Sequence, residues 1–153
     1  MRRKDREITD KAAVDDIIAK GQYLSLALAT QNVPYVIPVS YGYDGAAFYI
    51  HCAKQGKKLD IIRENALVAW NIVAFASYEE EAAKSHYTMR YGSVCGNGIA
   101  EIVQESAEKA KALKLIVAHY SPTKLEPTQA QIDSVEIIKI NVTEIYGKSN
   151  APK

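Results

Sequence analysis

The residue types that bind anions crowd into one stretch, where the chain reads P-V-S-Y-G-Y-D-G-A-A-F-Y-I-H-C-A-K-Q-G-K-K from Pro38 to Lys58. A glycine followed by two lysines at the start of a helix offers unpaired N–H groups, the positive end of the helix dipole and an ammonium to close over a phosphate. Gly56, Lys57 and Lys58 stand in that order, with a helix expected over residues 59–65. Two cations at a helix start oppose the dipole, so the pair is unfavourable there unless an anion compensates it. The residues alone leave this balanced against two ordinary solvated lysines. His51, at the end of the preceding strand, is the one candidate acid or base, although a lone histidine is more often a hydrogen-bonded structural residue.

Other candidates are weaker. Cys52 and Cys95 are far apart and form no C-x-x-C, which argues against a disulfide framework or a thiolate zinc site. Both read most simply as small buried hydrophobes. Gly96-Asn97-Gly98 is not a dinucleotide fingerprint, because Glu101 stands where the last glycine belongs and no helix begins there. Ten tyrosines against two phenylalanines is an unusual balance. Tyr35, Tyr41, Tyr43, Tyr49, Tyr87 and Tyr91 fall in strands on either side of the lysine loop, where they could line a planar ligand or a subunit interface, or simply cover a half-wet sheet.

The elements that must position these residues come from a chain of 153 residues, enough for one domain spanning 1–153 with a core of its own. Nineteen basic against 18 acidic side chains give a formal charge of +1, which argues against nucleic acid as a partner. The N-terminus begins basic, but an acidic amphipathic segment follows where a signal peptide needs an apolar run. No apolar run approaches a membrane span. A cytoplasmic location is therefore expected, and the sequon at Asn141 reads as a chance match.

The spacing predicts a helix over 9–20, with Ala13, Ile17 and Ile18 on its apolar stripe and Gly21 ending it. A strand over 22–30 alternates Leu24, Leu26 and Leu28 with a face of small residues. Residues 34–43 read as an edge strand, because Pro34 and Pro38 cannot donate to a ladder. Asp44-Gly45 signals a hairpin into 46–53, whose alternation turns Phe48, Ile50 and Cys52 inward and Tyr49 and His51 outward. Residues 67–76 predict a well-covered central strand, 78–85 a polar loop or helical turn, and 86–103 a long bent strand or a bulged hairpin. A helix over 106–120, with Ala110, Leu113, Val117 and Tyr120 as its stripe, and a strand over 135–146 complete the chain. Hairpin order without βαβ repeats predicts a mainly β fold with peripheral helices, an antiparallel barrel.

Several runs together resemble a known family. They are Val36 to Tyr43, Phe48 to Ala53, Gly56 to Leu59, and Tyr91 through Ser93-Val94 to Gly98. They resemble the flavin-binding split-barrel proteins related to pyridoxamine 5'-phosphate oxidases, most closely the nitroimidazole-resistance branch. That resemblance implies a six-stranded antiparallel split β-barrel, homodimeric, with one FMN per subunit in a groove at the dimer interface. It assigns Lys58 to the phosphate, with Lys57, Gly56, Ala53 and His51 around it. It runs Pro38, Val39 and Ser40 beside the flavin ring, and brings Tyr91 and Ser93 to the cofactor from one subunit or the other. The tail 146–153 lacks the arginine and tryptophan of the substrate segment in true pyridoxamine phosphate oxidases, which argues against vitamin B6 chemistry. The function it implies is an FMN-dependent oxidoreductase, drawing on NAD(P)H or another donor to reduce a small substrate such as a nitroaromatic, with no metal. The alternatives are a flavin or haem carrier or sensor, a deazaflavin protein, and an oxidase of the pyridoxamine phosphate type.

Overall fold

A computed structural model describes residues 3–81 and 86–150. Its framework is one antiparallel sheet: β1 (Glu7–Ile8), β2 (Leu24–Thr30), β3 (Val33–Val39), β4 (Gly42–Tyr43), β5 (Ala47–Cys52), β6 (Leu67–Glu81), β7 (His86–Ile102) and β8 (Glu136–Ser149). Four helices attend it: α1 (Lys11–Lys20), α2 (Lys57–Glu64), α3 (Ser106–Tyr120) and α4 (Gln129–Ser134). The strands run in the order β3-β2-β6-β7-β8-β5-β4, with β1 added beside β8. The expected count of six is thus corrected to eight, two of them only two residues long, in a sheet whose path is open at β3 and β4.

The core fills the concave side. Leu24, Leu26, Phe48, Ile50, Ile72, Val94, Ile138 and Ile140 are buried there under α1 and α2. Trp70 lies among them, its ring 4.7 Å from that of Phe48. A smaller cluster of Ala47, Tyr49, Val103, Ala112 and Ile137 is buried on the other side of β5, with Leu113 and Leu115 of α3 packed against it. That cluster corrects the outward assignment of Tyr49, whose hydroxyl reaches Asp44 at 3.0 Å. Ala112 and Ile116 form the buried face of α3, one position away from the expected stripe. In α1, Val14 takes the place expected for Ala13.

Local chemistry explains the joints. Asp10 caps α1 by accepting from the Ala13 N–H at 3.0 Å. Gln31 and Asn32 both have positive φ, which tightens the β2–β3 hairpin. The strand expected over 34–43 is two strands, because the chain leaves β3 at Ser40 so that Tyr41 can enter the core. The Tyr41 hydroxyl donates to the carbonyl of Ile18 at 2.5 Å and also lies 3.2 Å from that of Gly21, while its backbone N–H donates to the Tyr120 hydroxyl at 3.1 Å. A Cβ on Gly21 would strike Ile72 and the Tyr41 hydroxyl. β6 continues to Glu81, so residues 78–81 are strand, not loop or helical turn; residues 82–85 lie outside the described residues. β6 is covered on one side only, since Leu67 and Val73 are exposed. β7 is one unbroken strand. Among the described residues no helix is long and apolar enough to cross a membrane.

Candidate functional site

The loop after β5 brings Gly56, Lys57 and Lys58 to the start of a helix. β5 ends at Cys52 with His51 exposed, and α2 begins at Lys57, two residues earlier than expected. Gly56 is the N-cap and provides no side-chain cap. Its φ of +141° falls in a region L side chains rarely adopt, and a Cβ there would meet nothing within 4 Å. The Leu59 N–H bonds back to the Gly56 carbonyl at 2.9 Å, whereas the N–H groups of Lys57 and Lys58 have no acceptor among the described residues. Open space, two unsatisfied donors and a dipole end therefore coincide in front of α2.

Each lysine has a direction. Lys57 lays its ammonium over the Tyr35 ring, 4.8 Å from the centroid, which joins the start of α2 to edge strand β3. Lys58 is half-buried and acts on Cys52: burial pushes that thiol above its usual range, and the Lys58 charge partly offsets it. Buried, with its thiol held protonated, Cys52 is a packing residue. The far end of α2 is tied to the same hairpin, with Asn65 Nδ2 donating to the Ala29 carbonyl at 2.8 Å and the Thr30 hydroxyl to Glu64 at 2.5 Å.

A second feature lies further along β3. Pro38, Val39 and Ser40, with Tyr23, Ser25 and Val36, line an open cleft of about 570 Å³. Tyr35 and Pro38 are three steps apart, roughly 10 Å of extended strand. Cradle and cleft thus share one strand, and that strand is an open edge. A further groove, of about 480 Å³, is lined by Ile8, Val14, Tyr43 and Val142 and shares no residue with either.

Tyr91 and Ser93 are not brought to the cradle within one chain. His51 pairs with Ile137, whose neighbour Ile138 pairs with Ile102, while Ser93 pairs with Lys148 midway along β7. Ser93 and Ile102 are nine steps apart along β7, about 30 Å of strand. Ser93 instead lies on the convex face of the sheet, opposite Val73 of β6. The tyrosines do not form one cluster either. Tyr41 and Tyr49 are buried, Tyr43 stacks on Phe48 at 4.6 Å, Tyr87 is exposed, and Tyr35 serves Lys57.

Two residues with a stake in this region escaped sequence reading. Arg6 and Lys148 flank Tyr91, and together they push its phenol below the usual range although burial opposes them. The basic N-terminus was visible, but nothing local connects it with β8 until β1 pairs there. Cys95, expected to be buried, is exposed on the convex face. The described residues contain no group of three or more metal-ligating side chains.

The fold recurs in solved structures. A 5-nitroimidazole antibiotic resistance protein from Bacteroides thetaiotaomicron superposes with a TM-score of 0.84 at 24% identity, over 93% of this chain and 85% of its own. An FAD- and haem-binding protein from Mycobacterium smegmatis gives 0.84 at 17% identity, over 96% and 74%. The flavocytochrome Anf3 of Azotobacter vinelandii gives 0.82 at 19%, over 99% and 72%. Among curated sequences, an uncharacterised protein of Rhizobium meliloti is 33% identical over 61 residues, so the match spans 40% of each chain. The profile of the pyridoxamine 5'-phosphate oxidase family runs through nearly the whole fold just described, from residue 10 to 149, and the chain belongs to that family.

Proposed function

We propose that the protein is a flavin-dependent oxidoreductase that holds FMN along β3, phosphate at the α2 cradle and ring at the Pro38–Ser40 cleft. The observation that carries this reading is the Lys57–Tyr35 contact, because it sets an anion site and a cleft on the same open edge. The donors fit the group: two unsatisfied N–H groups, two ammonium groups and a glycine that leaves the approach open suit a phosphate dianion. Ser25 and Ser40 leave part of the cleft wall low enough for a planar ring to approach the backbone.

Lys58 and Lys57 neutralise the phosphate, while Ala53 and Gly56 keep the loop close to it. His51 sits at the phosphate end, so its role is a ligand contact there rather than proton transfer at the ring. Bound FMN would supply electron exchange between a donor such as NAD(P)H and a small substrate, nitroaromatic compounds among them. Tyr91 and Ser93 would complete the pocket from a second copy, since in their own chain β2 and β6 lie between β7 and β3.

The visible spectrum of the purified protein is the first test. Flavin bands, or their appearance after incubation with FMN, are expected; a haem spectrum or no uptake overturns the reading. Oxidation of NADH or NADPH in the presence of a nitroimidazole then separates an enzyme from a carrier. A flavin-loaded protein without turnover would be a carrier or sensor.

A further inference from the structure

The convex face holds a second cluster that shares no residue with the α2 cradle. β8 lies between β1 and β7, with Glu7 paired to Lys148 on one side and Ser93 paired to Lys148 on the other. This register brings together three side chains from distant parts of the chain. Lys148 places its ammonium 5.7 Å from the centre of the Tyr91 ring, and the charges of Lys148 and Arg6 both act on the Tyr91 phenol. All three are half-buried.

The charges there are not balanced. The nearest carboxylate to Arg6 is Asp5, at 3.9 Å, and Asp5 is already held by Arg3 through contacts of 2.8 and 2.6 Å. Lys148 has no ion-pair partner among the described residues; Glu7, across from it, lines the groove beside α1. One phenol oxygen cannot satisfy a guanidinium with five N–H donors and an ammonium with three. Convergent cations with donors to spare, beside a hydroxyl that can also donate, match the needs of a carboxylate or phosphate.

We propose that Arg6, Tyr91 and Lys148 form an anion-binding site for the carboxylate or phosphate group of a small ligand. The site itself needs no flavin. Only the step that makes this ligand the substrate of flavin chemistry rests on the function proposed above, where the Tyr91 face meets a partner's flavin.

The test uses the full chain with its tyrosine rings isotope-labelled, the Tyr91 signal being identified by its loss in Tyr91→Phe. Inorganic phosphate is titrated in one arm and acetate in the other, at constant ionic strength. A saturable shift of the Tyr91 signal is expected, in the millimolar range or tighter, and the arm that binds more tightly identifies the class of acid. Arg6→Gln and Lys148→Gln should each weaken it by about tenfold or more, whereas Lys57→Ala and Lys58→Ala should leave it unchanged. Absence of a saturable shift in both arms, or a shift that ignores both glutamine variants, overturns the site. FMN uptake by the same variants keeps the two questions apart: loss in Lys58→Ala but not in Arg6→Gln locates the flavin phosphate at α2 whatever the anion titration gives.

Discussion

Lys58 is the side chain on which the phosphate assignment stands, and Lys58→Ala should weaken FMN binding by the worth of a charge-assisted contact, about 1.5–3 kcal/mol. Flavin fluorescence titration measures it, and an unchanged affinity would place the phosphate elsewhere. Lys57→Ala should cost less, because part of the Lys57 charge is already engaged by the Tyr35 ring. Asp44 gives a pH prediction. Burial would raise its pKa, but hydrogen bonds from Lys111, from the N–H groups of Ala47 and Ala46 and from the Tyr49 hydroxyl outweigh it and hold the carboxyl well below the usual range. A carboxyl depressed in the folded state contributes stability above its unfolded pKa of about 3.9 and loses that contribution as pH falls below it. Acid unfolding should therefore show a component that disappears in Asp44→Asn, seen by comparing urea midpoints at neutral and acidic pH. The Gly56-Lys57-Lys58 cradle was legible in the sequence because all its parts are neighbours along the chain. Arg6 and Lys148 were not, since only the pairing of β1 with β8 makes them neighbours of Tyr91.

At the scale of elements, the strand after α1 and its hairpin partner could be read from alternating leucines and from prolines that mark an edge. α3 was legible to the residue, Ser106–Tyr120, though its buried face is turned by one position. α4 was missed despite a signal in plain view. Thr128 and Gln131 form a capping box, the Thr128 oxygen accepting from the Gln131 N–H at 3.3 Å and the Gln131 side chain accepting from the Thr128 N–H at 2.9 Å. The break between β3 and β4 was hidden for a different reason. Its cause is Tyr41, whose hydroxyl finds its acceptors some twenty residues back, at the end of α1. Tyr41→Phe removes the hydroxyl donor from the Ile18 carbonyl, while the Gly21 carbonyl keeps the His119 ring nitrogen 2.8 Å away, and should destabilise the protein by about 1–3 kcal/mol in urea unfolding. If the loss is confined to the α1 joint, hydrogen exchange will rise there first and leave the β6–β7 ladder protected.

At the scale of the molecule, one face of the sheet remains uncovered. Pro38, Ser25, Asn71, Cys95 and Tyr146 form one row across β3, β2, β6, β7 and β8, and Val36, Ala27, Ala69, Asn97 and Glu144 form the next. Leu67, Val73 and Ile99 lie exposed on the β6 and β7 strands that carry these rows. An uncovered sheet face that exposes several large apolar side chains is the mark of an interaction site, and a second copy is the partner that would also supply Tyr91 and Ser93. Sedimentation should give twice the 16.9 kDa of the chain. Ala69→Arg, at an exposed position in the middle of the second row, should yield a folded monomer with weakened FMN binding. A dimer unaffected by that charge would move the interface off this face. Trp70 has a consequence of another kind. It is the only tryptophan in the chain, 2% exposed on the central strand, with its ring against Phe48. Tryptophan emission from this protein therefore comes from a single, fixed lamp among the core side chains. Its light falls in the range a flavin absorbs, so arrival of the cofactor would dim it, and one cuvette, without any label, could time how fast the pocket fills.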